Sequence, residues 1–264
     1  MKELNIIKIG GNILDKPTQL HRFLSDFASF PGAKILVHGG GKIASTIGQR
    51  LGIIPKYHEG RRITDSETLD LVTMVYGGLI NKQVVAQLQA LSCNAIGLTG
   101  ADANTILASK RPVREVDYGF AGDVAGNRSI NVEVLHGLLT LGITPVFAPL
   151  THDGDGSLLN TNADTIASML ATALASLYQV KLTYCFEKKG VLQDPTDDTS
   201  VISHINQARF IELKDTGVVS EGMIPKLDNA FAALGQGVKA VQIGDAAEIN
   251  DIVAGGKAGT LLTL

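Results

Sequence analysis

A mainly parallel β-sheet covered by helices on both faces is the fold class that the 264-residue sequence predicts. Three observations carry the expectation. Short runs rich in β-branched and aliphatic residues alternate with longer helical patterns, as strands joined by crossover helices do. The first such run, 4–9, is apolar apart from Asn5 and one lysine, Lys8, and breaks at once into Gly10 and Gly11. The second, 34–37, ends in His38 and then Gly39, Gly40 and Gly41. Two strand ends that dissolve into glycine are places where backbone amides approach an anion closely.

The elements follow in order. Strands are expected over 4–9, 34–37, 95–98, 143–148, 181–186 and 239–243. Between the first two, Leu20, Phe23, Leu24 and Phe27 recur at helical spacing. Thr64-Asp65-Ser66-Glu67 has the form of a capping box, and it opens a long helix running towards Leu91. Residues 104–130 mix Thr, Val, Tyr, Gly and charges and predict hairpins at a sheet edge. Gly154-Asp155-Gly156 is a turn signal. Residues 162–177 predict an apolar helix with Ile166, Met169, Leu170, Ala173 and Leu174 on one stripe. A further helix starts near Pro225, since proline suits a first turn. No linker, low-complexity tract or internal repeat divides the chain.

Composition narrows the function classes. The chain is 45% apolar, enough for one large domain or two closely packed lobes. A net charge of −3 and a pI near 6.1 offer no basic face to nucleic acid. No apolar run approaches the ~20 residues that cross a bilayer, and no signal peptide is visible, so a cytoplasmic protein is expected. Cys93 and Cys185 fit no metal or redox spacing and are expected to be reduced and buried.

Five places can carry chemistry. Lys8 with Gly10 and Gly11 is either an ordinary strand end or a phosphate site, where a lysine supplies a point charge. The triglycine at a strand-to-helix junction is an anion site by geometry, though not a Walker A loop, because Lys42 is followed by Ile43. In Asn160-Thr161-Asn162-Ala163-Asp164, Asn162 or Asp164 can cap the following helix, while capping alone explains three polar residues poorly. Lys226 follows a glycine turn at Gly222 and falls in the first helical turn, where a cation opposes the dipole; a broken local rule points to function as readily as to a surface lysine. Arg62 precedes the helix opening and can fork onto a carboxylate, with one of Arg61 and Arg62 facing solvent.

These motifs, in this order, resemble the amino-acid kinase family. The resemblance runs over almost the whole chain: IIKIGGN at 6–12, VHGGG at 37–41, GRRIT at 60–64, GLTGADA at 97–103, DYGFAGDV at 117–124, the stretch 143–164, and EGMIPK at 221–226. It implies an open three-layer αβα sandwich with a mainly parallel sheet of about eight strands. It also implies one kinase domain over 1–264, with an acceptor-binding N-terminal lobe of about 1–175 and an ATP-binding C-terminal lobe of about 176–264. The implied reaction is ATP-dependent phosphorylation of the side-chain carboxylate of an N-acylglutamate, with acetyl as the family default. Mg²⁺ arrives with ATP, and neither a resident metal nor a tightly bound cofactor is expected.

Residue by residue, the resemblance makes Lys8 and Lys226 the paired lysines on the transferring phosphoryl group and Asp164 the carboxylate that orients both. Gly11 and Gly39 belong to the turns that hold that group. Gly40, Gly41, Arg62 and Asn160 bind the acyl-amino acid, the arginine gripping its α-carboxylate. Where relatives carry an aspartate at the end of a Leu-Thr-Asp-like strand, this chain has Glu187 before Gly190, which puts both on the nucleotide side. His38 is then a turn residue rather than a base, because a carboxylate nucleophile has no proton to lose near neutral pH. Only seven residues precede Lys8, leaving no room for the extra helix of arginine-inhibited relatives, so a homodimer insensitive to arginine is expected. Sister kinases acting on free glutamate, aspartate, carbamate or UMP stay open, as does a bulkier acyl group such as succinyl, read against the loop 55–61. A non-catalytic nucleotide or amino-acid sensor is the reading from another class, and the presence of both lysines weighs against it.

Overall fold

The apolar runs become strands with small shifts at their ends. The computed structural model describes residues 1–194, 196–219 and 223–264. In chain order the strands are β1 (Glu3–Ile9), β2 (Ala33–His38), β3 (Lys56–His58), β4 (Arg61–Ile63), β5 (Ala95–Leu98), β6 (Ser109–Lys110), β7 (Ala121–Asp123), β8 (Thr144–Phe147), β9 (Leu150–His152), β10 (Leu158–Thr161), β11 (Gln179–Phe186), β12 (His204–Ile205), β13 (Ala240–Asp245) and β14 (Thr260–Leu262). Eight of them form the main sheet in the order β12-β14-β13-β11-β1-β2-β8-β5. Pairing is parallel except between β13 and β14.

Strand periodicity sorts β1 between two cores. Leu4 and Ile6 pack with Ile166, Leu170 and Leu174 of the helix Ala163–Leu174. Ile7 and Ile9 pack with Phe23, Leu24 and Phe27 of the helix Pro17–Ser29. Lys8 falls on the face of Leu4 and Ile6, beneath the start of the helix Ala163–Leu174. The fold therefore places Lys8 at the sheet's C-terminal rim, where open parallel sheets bind ligands.

Several expectations need correction. The helix opened near Thr64 is capped by Asp65, whose carboxylate accepts from Thr68 N at 2.9 Å; Thr64 itself lies outside the helix, donating its N–H to Tyr118 O. Thr64 is held by Tyr118 outside the helix and the Asp65 carboxylate takes the free amide of Thr68 instead, so the Thr64–Glu67 reciprocal box does not form. The helix runs on over 66–90, and its middle, Thr73–Ile80, widens to a π-helix across the pair Gly77 and Gly78. Residues 104–130 do not extend the main sheet. Their strands β6 and β7 join β9 and β10 in a separate four-stranded sheet. The turn at 154–156 links β9 to β10 as expected, with Gly154 and Gly156 at positive φ. The loop 55–61 is a hairpin, β3 against β4. The helix Ile224–Gly235 begins where Pro225 predicts, whereas the glycine turn at Gly222 lies outside the described residues. Cys93 and Cys185 are buried and unpaired.

Candidate active site

The two glycine turns meet. Gly39 N donates to Ile9 O at 3.0 Å, which ties the end of β2 to the end of β1. A Cβ on Gly39 would sit 3.4 Å from Gly11 N, in ordinary van der Waals contact, which measures how near the two turns lie. The amide of Gly39 is thus committed to the sheet, and its contribution is the close approach. The helices Gly11–Leu14 and Gly41–Arg50 both begin without a side-chain cap, which leaves first-turn amides for another acceptor. Gly40 sits at φ +153°, with the rings and methyls of Tyr76 and Ile80 packed against its Cα; a Cβ there would lie 2.6 Å from Ile80 Cδ1.

His38 anchors the turn from below. It is fully buried, its Nδ1 lies 2.7 Å from Gly39 O, and Asn81 Nδ2 donates to its Nε2 at 3.2 Å. With Nδ1 protonated, both contacts are satisfied by the neutral ring. Burial pushes its pKa down to about 4, against the smaller upward pull of Gly39 O. This is a structural histidine, as the sequence predicts.

A cavity of about 240 Å³ opens beside the triglycine, lined also by Tyr57, Arg61, Arg62, Tyr76, Arg111 and Asn160. Arg62 is buried while Arg61 is exposed, which resolves the pair. Arg62 Nη2 donates to Gly41 O at 2.8 Å and Ser45 Oγ at 2.9 Å, and its guanidinium stacks over Tyr57 with 4.9 Å to the ring centre. Its Nη1 is buried without a hydrogen-bond partner among the described residues. A guanidinium held by one nitrogen and left unsatisfied at the other is prepared for an anion, because an unpaired buried donor is costly. Asn160 donates to Thr64 Oγ1 at 3.0 Å, which joins β10 to the mouth of the long helix.

At the helix Ala163–Leu174 the two capping candidates separate. Asn162 is the cap and accepts from Asp164 N at 2.8 Å and Thr165 N at 3.1 Å. Asp164 is thereby free of capping duty and pairs with Lys8 at 2.7 Å. Such largely buried pairs are close to break-even for folding, so stability alone does not explain this one. Lys226 lies in the first turn of the helix Ile224–Gly235, which carries no acid there. Burial lowers the pKa of Lys226; the Asp164 carboxylate pulls it up and the Lys8 ammonium pushes it further down.

A second cavity, about 230 Å³, is lined by Gly10, Asn12, Phe186, Glu187, Gly190 and Lys226. Glu187 and Gly190 therefore share a wall with Lys226. Gly190 has a packing reason too, since a Cβ would lie 2.7 Å from Thr260 Oγ1. Asn162 and Ala163 of the first cavity lead straight to Asp164, and Lys8 touches Asp164 and Phe186 of the second. The Lys8 ammonium stands between the two spaces. The structure brings together Lys8, Asp164 and Lys226 in one group, and Arg62, Asn160, Gly40 and Gly41 in the other. Sequence reasoning missed Tyr76, Arg111 and Phe186, and reached Tyr57 only as part of the loop 55–61. Tyr76 gives no signal because it is one apolar residue in a long apolar helix, and Arg111 is one charge among many in 104–130.

Among the described residues no group of three or more His, Cys, Asp or Glu side chains is placed to hold a metal ion. No helix among them is long and apolar enough to cross a membrane.

Comparison with known proteins identifies the family. The sequence profile of the amino acid kinase family matches residues 3–245. The chain is 58% identical to the acetylglutamate kinase of Cytophaga hutchinsonii, over 96% of this chain and 95% of that one. It is 56% identical to the acetylglutamate kinase of Phocaeicola vulgatus, over 95% and 97%. Among solved structures, N-acetylglutamate synthase from Neisseria gonorrhoeae, complexed with coenzyme A and N-acetyl-glutamate, superposes with a TM-score of 0.82 at 21% identity. The match covers 99% of this chain and 59% of that longer protein, a likeness of fold.

Proposed function

The chain belongs to the amino acid kinase family, and from that premise we propose that it transfers the γ-phosphoryl group of ATP to the side-chain carboxylate of N-acetyl-L-glutamate in arginine biosynthesis. The observation that carries the reading is the Lys8–Asp164 pair standing between two cavities, one with the half-free guanidinium of Arg62 and one with Lys226. The first cavity takes the acceptor: Arg62 Nη1 receives its α-carboxylate, Asn160 and the amides of Gly40 and Gly41 orient it, and its side-chain carboxylate faces the glycine turns. The second takes ATP, with Glu187 and Gly190 on the nucleotide side and Mg²⁺ arriving with the triphosphate. The N-terminal lobe of about 1–175 then serves the acceptor and the rest serves ATP.

Transfer brings a triphosphate against another anion, so the protein's task is positioning and charge neutralisation. Lys8 and Lys226 neutralise the charge on the group in flight. Asp164 holds Lys8 in line and offsets part of the repulsion between the two ammonium groups. Gly11 and Gly39 keep the two turns close enough to share one phosphoryl group. The acceptor is already a carboxylate, so no general base is needed, and neutral His38 supplies none.

A dicarboxylic acyl group, as in N-succinyl-glutamate, is the second reading. It is favoured by one observation: Arg61 and Arg111 line the acceptor cavity together with Arg62, and no carboxylate side chain of the described residues lines it. Acyl-phosphate formation from MgATP, trapped as a hydroxamate, separates the readings when run on N-acetyl-glutamate, N-succinyl-glutamate, free glutamate and aspartate. Turnover of N-acetyl-glutamate alone is expected. Turnover of the succinyl compound alone moves the acyl assignment, and turnover of free glutamate or aspartate moves the chain to a sister activity. Silence on all four with ATP still bound makes it a sensor.

A homodimer in the cytoplasm is the assembly we favour. The edge strand β5 exposes Ile96, and the long helix exposes Met74 and Leu79, apolar residues that a second copy would cover.

A further inference from the structure

Two ammonium groups share one aromatic ring. Lys226 Nζ lies 3.8 Å from the centre of the Phe186 ring, and Lys8 Nζ lies 5.3 Å from it. Both distances are within the range at which a cation is drawn to the ring quadrupole. The ring is itself held. Tyr184, two residues earlier on β11 and so on the same face, stacks on it at 6.3 Å between centres and 18° between planes. Tyr184 Oη donates to Asp164 O at 3.4 Å, which ties the stack to the helix that carries the Lys8 partner.

The electrostatics make this placement informative. Before any phosphate arrives, two lysines face one carboxylate, Asp164, and a positive charge is left over. A second carboxylate beside them would cancel that charge and repel the triphosphate. An aromatic face attracts a cation while carrying no net charge, so it holds an ammonium in place and leaves it positive. Among the described residues, the charged groups facing Lys226 are Asp164 and Lys8, with Glu187 and Lys188 on the wall of the same cavity.

We propose that Phe186 is a positioning residue for phosphoryl transfer, a neutral shelf that holds Lys226 and Lys8 side by side at the point between the two cavities. The inference rests on the kinase reading above, and its test has one arm that does not. In that arm Phe186 is replaced by mono-, di- and trifluorophenylalanine, which are nearly isosteric and weaken the quadrupole stepwise. The titration of Lys226 is followed by ¹³Cε NMR in the protein without substrates. Each added fluorine is expected to move that titration to lower pH, because the ring stabilises the charged form. In the second arm kcat falls log-linearly along the same series, to about tenfold below the starting value for the trifluoro ring, while KM for the acyl substrate stays put. Phe186→Leu falls to the same level, and Phe186→Tyr stays within about threefold of the parent. A Lys226 titration indifferent to fluorination overturns the proposal whatever the reaction proves to be. So does loss of activity in Phe186→Leu with none along the fluorinated series, because the ring then only fills space. Stepwise titration shifts with no acyl phosphate from the parent protein keep the shelf and overturn the kinase reading instead.

Discussion

Lys8 shows how a period of two residues becomes chemistry. Alternation along β1 sends Leu4, Ile6 and Lys8 to one face, and register pairs Lys8 with Tyr184 on one side and Val37 on the other. A lysine so enclosed needs a partner, and Asp164 supplies it. Removing either lysine charge while keeping the length, as in Lys8→Met and Lys226→Met, is expected to lower kcat by at least about 10²-fold, as for loss of one preorganised charge at a transition state. Arg62→Ala is expected to raise KM for the acyl substrate with a smaller change in kcat, the signature of lost ground-state binding. Steady-state kinetics with MgATP checks all three. His38 carries a prediction about stability. Its ring is neutral and buried, with a pKa near 4 against an ordinary value of 6.5, so the unfolded chain takes up a proton that the folded chain refuses. Its contribution is intact at pH 7 and is lost as the pH falls through 6.5 towards 4. Between pH 7 and pH 5 that amounts to about 2 kcal/mol. Urea unfolding at the two pH values is expected to show this loss in the parent and not in His38→Gln.

At the scale of elements, the strands and the glycine turns were legible in the sequence because their signals are local. Apolar runs that end in glycine need no tertiary information. The cap of the long helix was misassigned by one residue because Thr64, Asp65 and Ser66 are all good caps, and only the bridge between Thr64 and Gly119 decides among them. The second sheet was illegible for a related reason. Its strands β6 and β7 are two and three residues long and pair with each other, and only β10, far along the chain, joins that hairpin to β9. Asn160 and Asp164 were suspected because capping needs only one polar residue, but the sequence does not say that the cap is Asn162. Phe186 gave no signal, since an aromatic at a strand end usually packs in a core. The π-helical segment has its own consequence, because it sets Tyr76 and Ile80 against Gly40. Gly40→Ala must push that side chain into Ile80 and adopt φ +153°, so the triglycine turn is expected to shift. A fall in kcat of about 10²-fold is expected from such misplacement. Thermal unfolding that moves by only a few degrees alongside it marks the effect as one on the site.

For the whole molecule, the order β12-β14-β13-β11-β1-β2-β8-β5 puts the first strand at the centre and brings both cavities to one rim. Assembly is argued at this scale as well. Met74→Glu with Leu79→Glu places two charges on the exposed face of the long helix, and light scattering is expected to report half the parent mass. An unchanged mass would put the contact elsewhere. The central place of β1 also bears on how the chain is made. Its neighbour β2 follows within a few dozen residues, but its other neighbour, β11, comes at Gln179–Phe186. At bacterial-scale synthesis rates the ribosome delivers that segment roughly 10–30 s after β1. Through that interval the nascent protein carries a finished, strongly apolar strand with one side unzipped. A newborn chain of this topology keeps an unpaired strand edge, open to mispairing, until its second half arrives.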